Sequence, residues 1–122
     1  MYKLSKKYKF CAAHKLKDTK SLVSKKCLGH HGHNWNIKVE IEIEELIDDM
    51  VIDFAVIKKV INKLDHQDLN KILDFNPTAE NIAKYLHDEF IKQFKPTEKF
   101  TFLPIITVTV EETLGSKVTY WK

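Results

Sequence analysis

The sequence predicts an α+β fold: a four-stranded antiparallel sheet with two helices on one face, in the order ββααββ. Three observations carry this. Two long stretches in the first half alternate polar and apolar residues with period two. Two stretches in the middle repeat apolar residues at helical spacing, each behind an N-cap candidate. The last stretch alternates again and is interrupted once, at Gly115, as a hairpin would be. With 122 residues and 43% hydrophobic content, the chain suits one domain, residues 1–122, with a core of its own.

The first strand is expected over Tyr2 to His14. Tyr8, Phe10, Ala12 and His14 share one face; Lys7, Lys9, Cys11 and Ala13 share the other. Lys15 to Lys26 has no period and is rich in lysine and serine, which reads as a loop. Cys27-Leu28-Gly29-His30-His31-Gly32-His33-Asn34-Trp35 leads into the second strand, expected from about Gly32 to Ile47. His31, His33, Trp35, Ile37, Val39, Ile41 and Ile43 form its apolar row; Gly32, Asn34, Asn36, Lys38, Glu40, Glu42 and Glu44 form the polar one.

Asp53 is the N-cap candidate of the first helix, with Phe54, Ile57, Ile61 and Leu64 as its stripe and an end near Leu64-Asp65-His66. Asn76-Pro77-Thr78 starts the second helix, with Thr78 as N-cap, Ile82, Leu86, Phe90 and Phe94 as the stripe, and Lys95-Pro96 as the stop. Ile106, Val108 and Val110 then point one way, and Glu112 follows in phase. Gly115 turns the chain into Lys117–Trp121. No linker, internal repeat or low-complexity segment interrupts this order.

Composition excludes several classes. No apolar run approaches the roughly 20 residues that span a bilayer. Met1-Tyr2-Lys3-Leu4 lacks the apolar core of a signal peptide. The expectation is a cytoplasmic protein with no membrane partner, whose Cys11 and Cys27 are free thiols. The net charge is +3, and all 20 basic residues are lysine. Arginine is the usual reader of guanine edges, so its absence weighs against nucleic acid. Lysine still serves a small polyphosphate as a point charge. Residues 1–26 carry nine lysines against a single acid, Asp18.

The chemistry gathers where the two first strands meet. His31 and His33 lie two apart on one apolar strand face, and imidazoles so placed can converge on one metal ion. Gly32 between them leaves room for another group. His14, at the end of the neighbouring strand, is the third imidazole. Three neutral imidazoles with an open position make a catalytic zinc site; Cys27 as fourth ligand would close it. Lys25 and Lys26 beside Cys27 favour its thiolate. Asp65-His66 offers a carboxylate–imidazole pair. Glu112 ends an inward row, where an acid is costly unless paired. It either reaches solvent at the strand end or accepts hydrogen bonds from a nitrogen-rich ring.

Five motifs in order make the sequence recognisable: Phe10-Cys11-Ala12-Ala13-His14, Cys27-x-x-x-His31-Gly32-His33-Asn34, Leu64-Asp65-His66-x-x-Leu69-Asn70, Asn76-Pro77-Thr78-x-Glu80-Asn81 and Val110-x-Glu112-Thr113. Together they resemble the 6-pyruvoyl-tetrahydropterin synthase / 6-carboxy-tetrahydropterin synthase family over residues 10 to 113. The resemblance implies the tunnelling fold, in which copies join their sheets into a barrel, trimers pair into a homohexamer, and active sites are shared between subunits. It implies His14, His31 and His33 as zinc ligands and Cys27 as the catalytic thiol. Asp65 and His66 are implied as its activating and proton-relaying partners. Glu112 is the implied anchor of the pterin ring, with Thr113, Thr78 and Glu80 near it. His30 and Cys11 fall at variable positions, and Trp35 stands where tyrosine is more usual.

Cys27 and His31 are separated by three residues, the spacing of the bacterial carboxy-type enzymes of queuosine synthesis; the animal pyruvoyl type has five. The resemblance therefore implies a 6-carboxy-tetrahydropterin synthase. Such an enzyme converts 7,8-dihydroneopterin triphosphate to 6-carboxy-tetrahydropterin, acetaldehyde and triphosphate. Two readings compete: a pyruvoyl-type synthase that eliminates triphosphate, and, from another class, a non-catalytic zinc module that binds RNA through its lysines.

Overall fold

The computed structural model describes residues 1–16, 29–94 and 103–122. Cys27, Lys25, Lys26, Lys95 and Pro96 lie outside the described residues. The first strand, β1 (Tyr2–His14), pairs antiparallel with β2 (His31–Ile43), from Tyr2 opposite Ile43 to His14 opposite His31. The hairpin therefore brings the three histidines to one end. β2 stops at Ile43 rather than Ile47. The alternation fails at Glu45, and the chain then turns back at Asp48 and Asp49, whose φ values are 50° and 64°. Aspartate tolerates this left-handed region better than most residues. Ile47 and Met50 close the turn with mutual backbone hydrogen bonds of 2.8 and 3.0 Å.

Helix α1 (Phe54–Asn62) begins where the sequence predicts, with the Asp53 carboxylate accepting from the Ala55 N–H at 2.9 Å. Ile57, Ile61 and Leu64 are buried, but Phe54 is half exposed and lies beneath the Lys6 ammonium at 5.3 Å. Two short elements follow that the sequence reading lacks. β3 (Gln67–Asp68) pairs parallel to β1 at Ala12 and Ala13, and α2 (Leu69–Ile72) starts on the Asp68 cap. The ββααββ expectation is thereby corrected to a five-stranded mixed sheet, ordered β3-β1-β2-β4-β5. A two-residue strand leaves no periodicity to read; only its backbone pairing defines it.

Helix α3 (Ala79–Ile91) is capped by Thr78, whose hydroxyl accepts from the Asn81 N–H at 3.1 Å. Ile82, Leu86, Phe90 and Phe94 are buried as the stripe requires. His87, one step round from that stripe, is buried as well, edge-on to Tyr120. β4 (Ile105–Thr113) pairs antiparallel with β2 and, through the turn at Gly115 (φ 86°), with β5 (Ser116–Trp121).

The core is one layer. Trp35, Ile37, Val39 and Ile41 of β2 and Ile106, Val108 and Val110 of β4 lie under α1 and α3 and are almost fully buried. Truncating one such aliphatic side chain to alanine typically costs about 2–5 kcal/mol. The opposite face of the sheet is polar. Lys3 pairs with Glu40 at 3.2 Å, and Thr109 meets Thr119 at 3.0 Å. No described helix is long and apolar enough to cross a membrane.

Candidate metal and pterin site

Three imidazoles converge at the closed end of the β1–β2 pair. His14 is fully buried; His31 and His33 are partly so. The His14 Nδ1–H donates to the Pro77 carbonyl at 2.7 Å, and the His31 Nδ1–H donates to the Gly29 carbonyl at 2.6 Å. Each bond selects the tautomer that leaves Nε2 with its lone pair. Those two Nε2 atoms face each other at 3.1 Å. Two lone pairs so close repel unless a cation lies between them.

Glu112 completes the cluster. Its Oε1 lies 2.8 Å from His33 Nε2, 3.2 Å from His14 Nε2 and 3.8 Å from His31 Nε2. The four candidate ligand atoms all fall within 4.8 Å of one another. Two ligands at about 2.0–2.1 Å from one tetrahedral zinc lie about 3.3–3.4 Å apart. The observed separations bracket that value, so the residues fit a single small cation. When His14 also carries a proton on Nε2, its bond holds the Glu112 carboxyl below the usual carboxylate range; burial works against it, and His33 and His31 add to it.

A floor keeps these rings in place. Trp35 is wholly buried, stacks on Phe10, and sets its indole edge-on to His14 and His33 at centroid distances of 4.9 and 5.6 Å. Its Nε1–H donates to the Ala12 carbonyl at 3.2 Å, which links β2 to β1 just before His14. A bulge between Glu111 and Thr113 interrupts the β4–β5 register at Glu112. Bulges re-aim side chains, and this one falls on the residue that must reach the histidines.

Asp65 and His66 form a second cluster. The Asp65 carboxylate accepts from the Cys11 backbone N–H at 2.9 Å and lies 3.0 Å from His66 Nδ1. The Cys11 N–H holds this carboxyl below its usual range, and His66 adds to the effect. The His66 N–H donates to the Cys11 carbonyl at 2.6 Å, and its φ is +59°. A left-handed non-glycine residue is a local strain that the surrounding bonds must hold. The His66 ring itself is 80% exposed. It lines a cavity of about 550 Å³ with Cys11, Ala12, Ala13, Gly32, His33, Asn34, Gln67 and Asp68. Cys11, Ala13, Gly32 and Asn34 belong to the sheet face opposite His14. The Cys11 thiol donates to Asn34 Oδ1 at 2.8 Å. A Cβ on Gly32 would meet nothing within 4 Å, so packing within one chain does not demand glycine there.

The residues before and after the segment 17–28 are tied to the same turn. Asn70 accepts from the Lys15 N–H at 2.7 Å and donates to the Lys15 carbonyl at 2.9 Å. His30 Nε2 lies 3.1 Å from Asp68 Oδ2, and this bond holds the Asp68 carboxyl below its usual range. Thr78 caps α3, Glu80 is exposed in its first turn, and Thr113 is exposed at the end of β4. Four features escaped the sequence reading: the carbonyls of Pro77 and Gly29, the Asn70 clamp, and the approach of Glu112 to the imidazoles. Only the last left a signal, in its phase along β4.

A profile of the family described as 6-pyruvoyl tetrahydropterin synthase matches residues 3–122. A dihydroneopterin monophosphate aldolase of Pyrococcus furiosus is 42% identical over 66 residues, which cover 51% of this chain and 56% of that protein. A putative 6-carboxy-5,6,7,8-tetrahydropterin synthase of Archaeoglobus fulgidus is 35% identical over 88 residues, 69% of this chain and 71% of the relative. The structure of Caenorhabditis elegans 6-pyruvoyl tetrahydropterin synthase superposes with a TM-score of 0.70 at 30% identity, covering 98% of this chain and 94% of that one.

Proposed function

This chain belongs to the 6-pyruvoyl tetrahydropterin synthase family, and on that premise we propose that it is a zinc-dependent 6-carboxy-tetrahydropterin synthase of 7-deazaguanine (queuosine) biosynthesis. Its substrates are 7,8-dihydroneopterin triphosphate and water; its products are 6-carboxy-tetrahydropterin, acetaldehyde and triphosphate. The observation that carries the reading is the convergence of His14, His31 and His33, two of them with Nδ1 fixed by a backbone carbonyl. The spacing of three residues between Cys27 and His31 favours the carboxy type.

Zinc, when bound, supplies Lewis-acid polarisation of the substrate's side-chain oxygens. The chain supplies the rest. Cys27, as thiolate, takes a proton from the side-chain carbon. Asp65 orients His66, which relays that proton. Glu112 accepts hydrogen bonds from the pterin ring, with Thr113, Thr78 and Glu80 around it. Lysine side chains supply point charges for the phosphates.

The sheet edges support assembly with further copies. β3 covers β1 only at Ala12 and Ala13, and the outer edge of β5 has no partner among the described residues. Open edges invite pairing with another chain. We take the working unit to be a homohexamer of two stacked barrels, each of three chains, with His66 of one chain serving the site of the next. Its exposure to an open cavity supports this.

A second reading rests on the 42% identity to the Pyrococcus furiosus aldolase: aldol cleavage of a dihydroneopterin monophosphate. Mass spectrometry of products from both phosphates tests the proposal. A 6-carboxy pterin with acetaldehyde is expected. A one-carbon 6-hydroxymethyl pterin would favour the aldolase, and a 6-pyruvoyl pterin the pyruvoyl type.

A further inference from the structure

We propose that Glu112 is a displaceable fourth ligand: it closes the metal site at rest and leaves it when a pterin binds. The inference rests on the three-histidine metal reading and goes beyond it, because that reading gives Glu112 to the pterin alone. The argument is geometric. Oε1 of Glu112 stands 2.8, 3.2 and 3.8 Å from the Nε2 atoms of His33, His14 and His31. It therefore takes the corner that three imidazoles leave open on a tetrahedron, at the edge lengths already compared. The carboxylate supplies one negative charge beside neutral ligands, which suits a divalent cation. No sulfur is needed to close the site, so Cys27 stays available as a base.

The same carboxylate cannot serve metal and ring at once through one oxygen. A ring that offers an N–H pair in a plane favours both carboxylate oxygens together, and this competes with a single bond to the metal. The β4 bulge at Glu111–Thr113 gives the residue a backbone position not locked into the β4–β5 register. Ligand exchange at Glu112 thus couples pterin binding to opening of the coordination position. The site stays closed to adventitious ligands until substrate arrives.

The test uses the full-length protein, stripped of metal and titrated with cobalt(II) under visible spectroscopy. Zinc affinity is measured by chelator competition for wild type, Glu112→Gln and Cys27→Ala. The expected result is one equivalent of four-coordinate cobalt in wild type. In Glu112→Gln the spectrum should change and affinity fall at least about 10-fold, the lower bound for losing even an outer partner of a ligand. Addition of 7,8-dihydroneopterin to wild type should shift its spectrum towards that of Glu112→Gln. Circular dichroism of the apo variants confirms that the fold is kept. Identical spectra and affinities for wild type and Glu112→Gln would overturn the inference while leaving the histidine site standing. A sulfur-to-cobalt charge-transfer band lost in Cys27→Ala would overturn it too, by making Cys27 the fourth ligand. Failure of wild type to bind one equivalent would defeat the metal reading itself.

Discussion

The histidine cluster lies on one face of β1 and the Asp65–His66 pair is bonded along the edge of the same strand, at the Cys11 backbone, and they are built differently. His14 is buried, fixed by a carbonyl behind it and an indole beside it. His66 is open to solvent, strained at φ +59°, and held by its backbone N–H to Cys11 and by Asp65 at Nδ1, with the rest of its ring free of the core. A metal ligand gains from rigidity because its donor atom must lie within tenths of an ångström of one point. A relay residue must reach a partner that comes from elsewhere. On the proposed reading, the difference separates a site held within one chain from a relay that opens onto a cavity.

The largest effect should come from breaking the rigid side. The double variant His31→Ala/His33→Ala should lower bound zinc from about one per chain to near zero, by elemental analysis, and abolish turnover. Full occupancy in that variant would remove the basis for the metal reading. Cys27→Ala should keep zinc and fold but lose about 10²–10⁴-fold in turnover, the usual cost of a general base. Asp65→Ala and His66→Ala should also slow turnover with zinc retained. If either lost zinc instead, the two clusters would be one. Cys11→Ala sharpens the contrast. Its backbone N–H and carbonyl, not its thiol, hold Asp65 and His66, so its rate should stay near normal.

Smaller effects concern stability. Asp65 and Asp68 both have carboxyls held low in the folded state, by the Cys11 N–H and by His30 respectively. A group depressed on folding stabilises the protein above its unfolded pKa, about 3.9 for aspartate, and that contribution is lost as pH falls through the folded value. Acid unfolding of Asp65→Asn should therefore be less steep below about pH 4, as followed by circular dichroism. An unchanged profile would mean the pair contributes nothing to the acid limb. Thr78→Ala should be the mildest, at about 1 kcal/mol for a lost N-cap, seen as a lower Tm. A raised KM with unchanged Tm would instead make Thr78 a substrate contact.

What was legible in the sequence follows periodicity. Tyr2–His14, the Asp53 and Thr78 caps and the Gly115 turn stand where alternation and capping chemistry put them, because each is a local rule. The phase of β1 and β2 also carried three imidazoles to one face. The end of β2 was misread because Ile47 extends an apolar row that Glu45 has already broken. β3 and α2 were invisible because their cause is tertiary: Gln67 and Asp68 are extended only because Ala12 and Ala13 lie alongside. The same holds for the carbonyls of Pro77 and Gly29. Every residue has a carbonyl, and only the fold selects which one faces an imidazole.

The most direct measurement is an anomalous-difference map collected at the zinc absorption edge from crystals of the zinc-loaded protein. The account predicts one peak per chain, about 2.0–2.1 Å from Nε2 of each of His14, His31 and His33, with the Nδ1 bonds to Pro77 and Gly29 intact. A peak bound elsewhere, or none at full zinc loading, would contradict it.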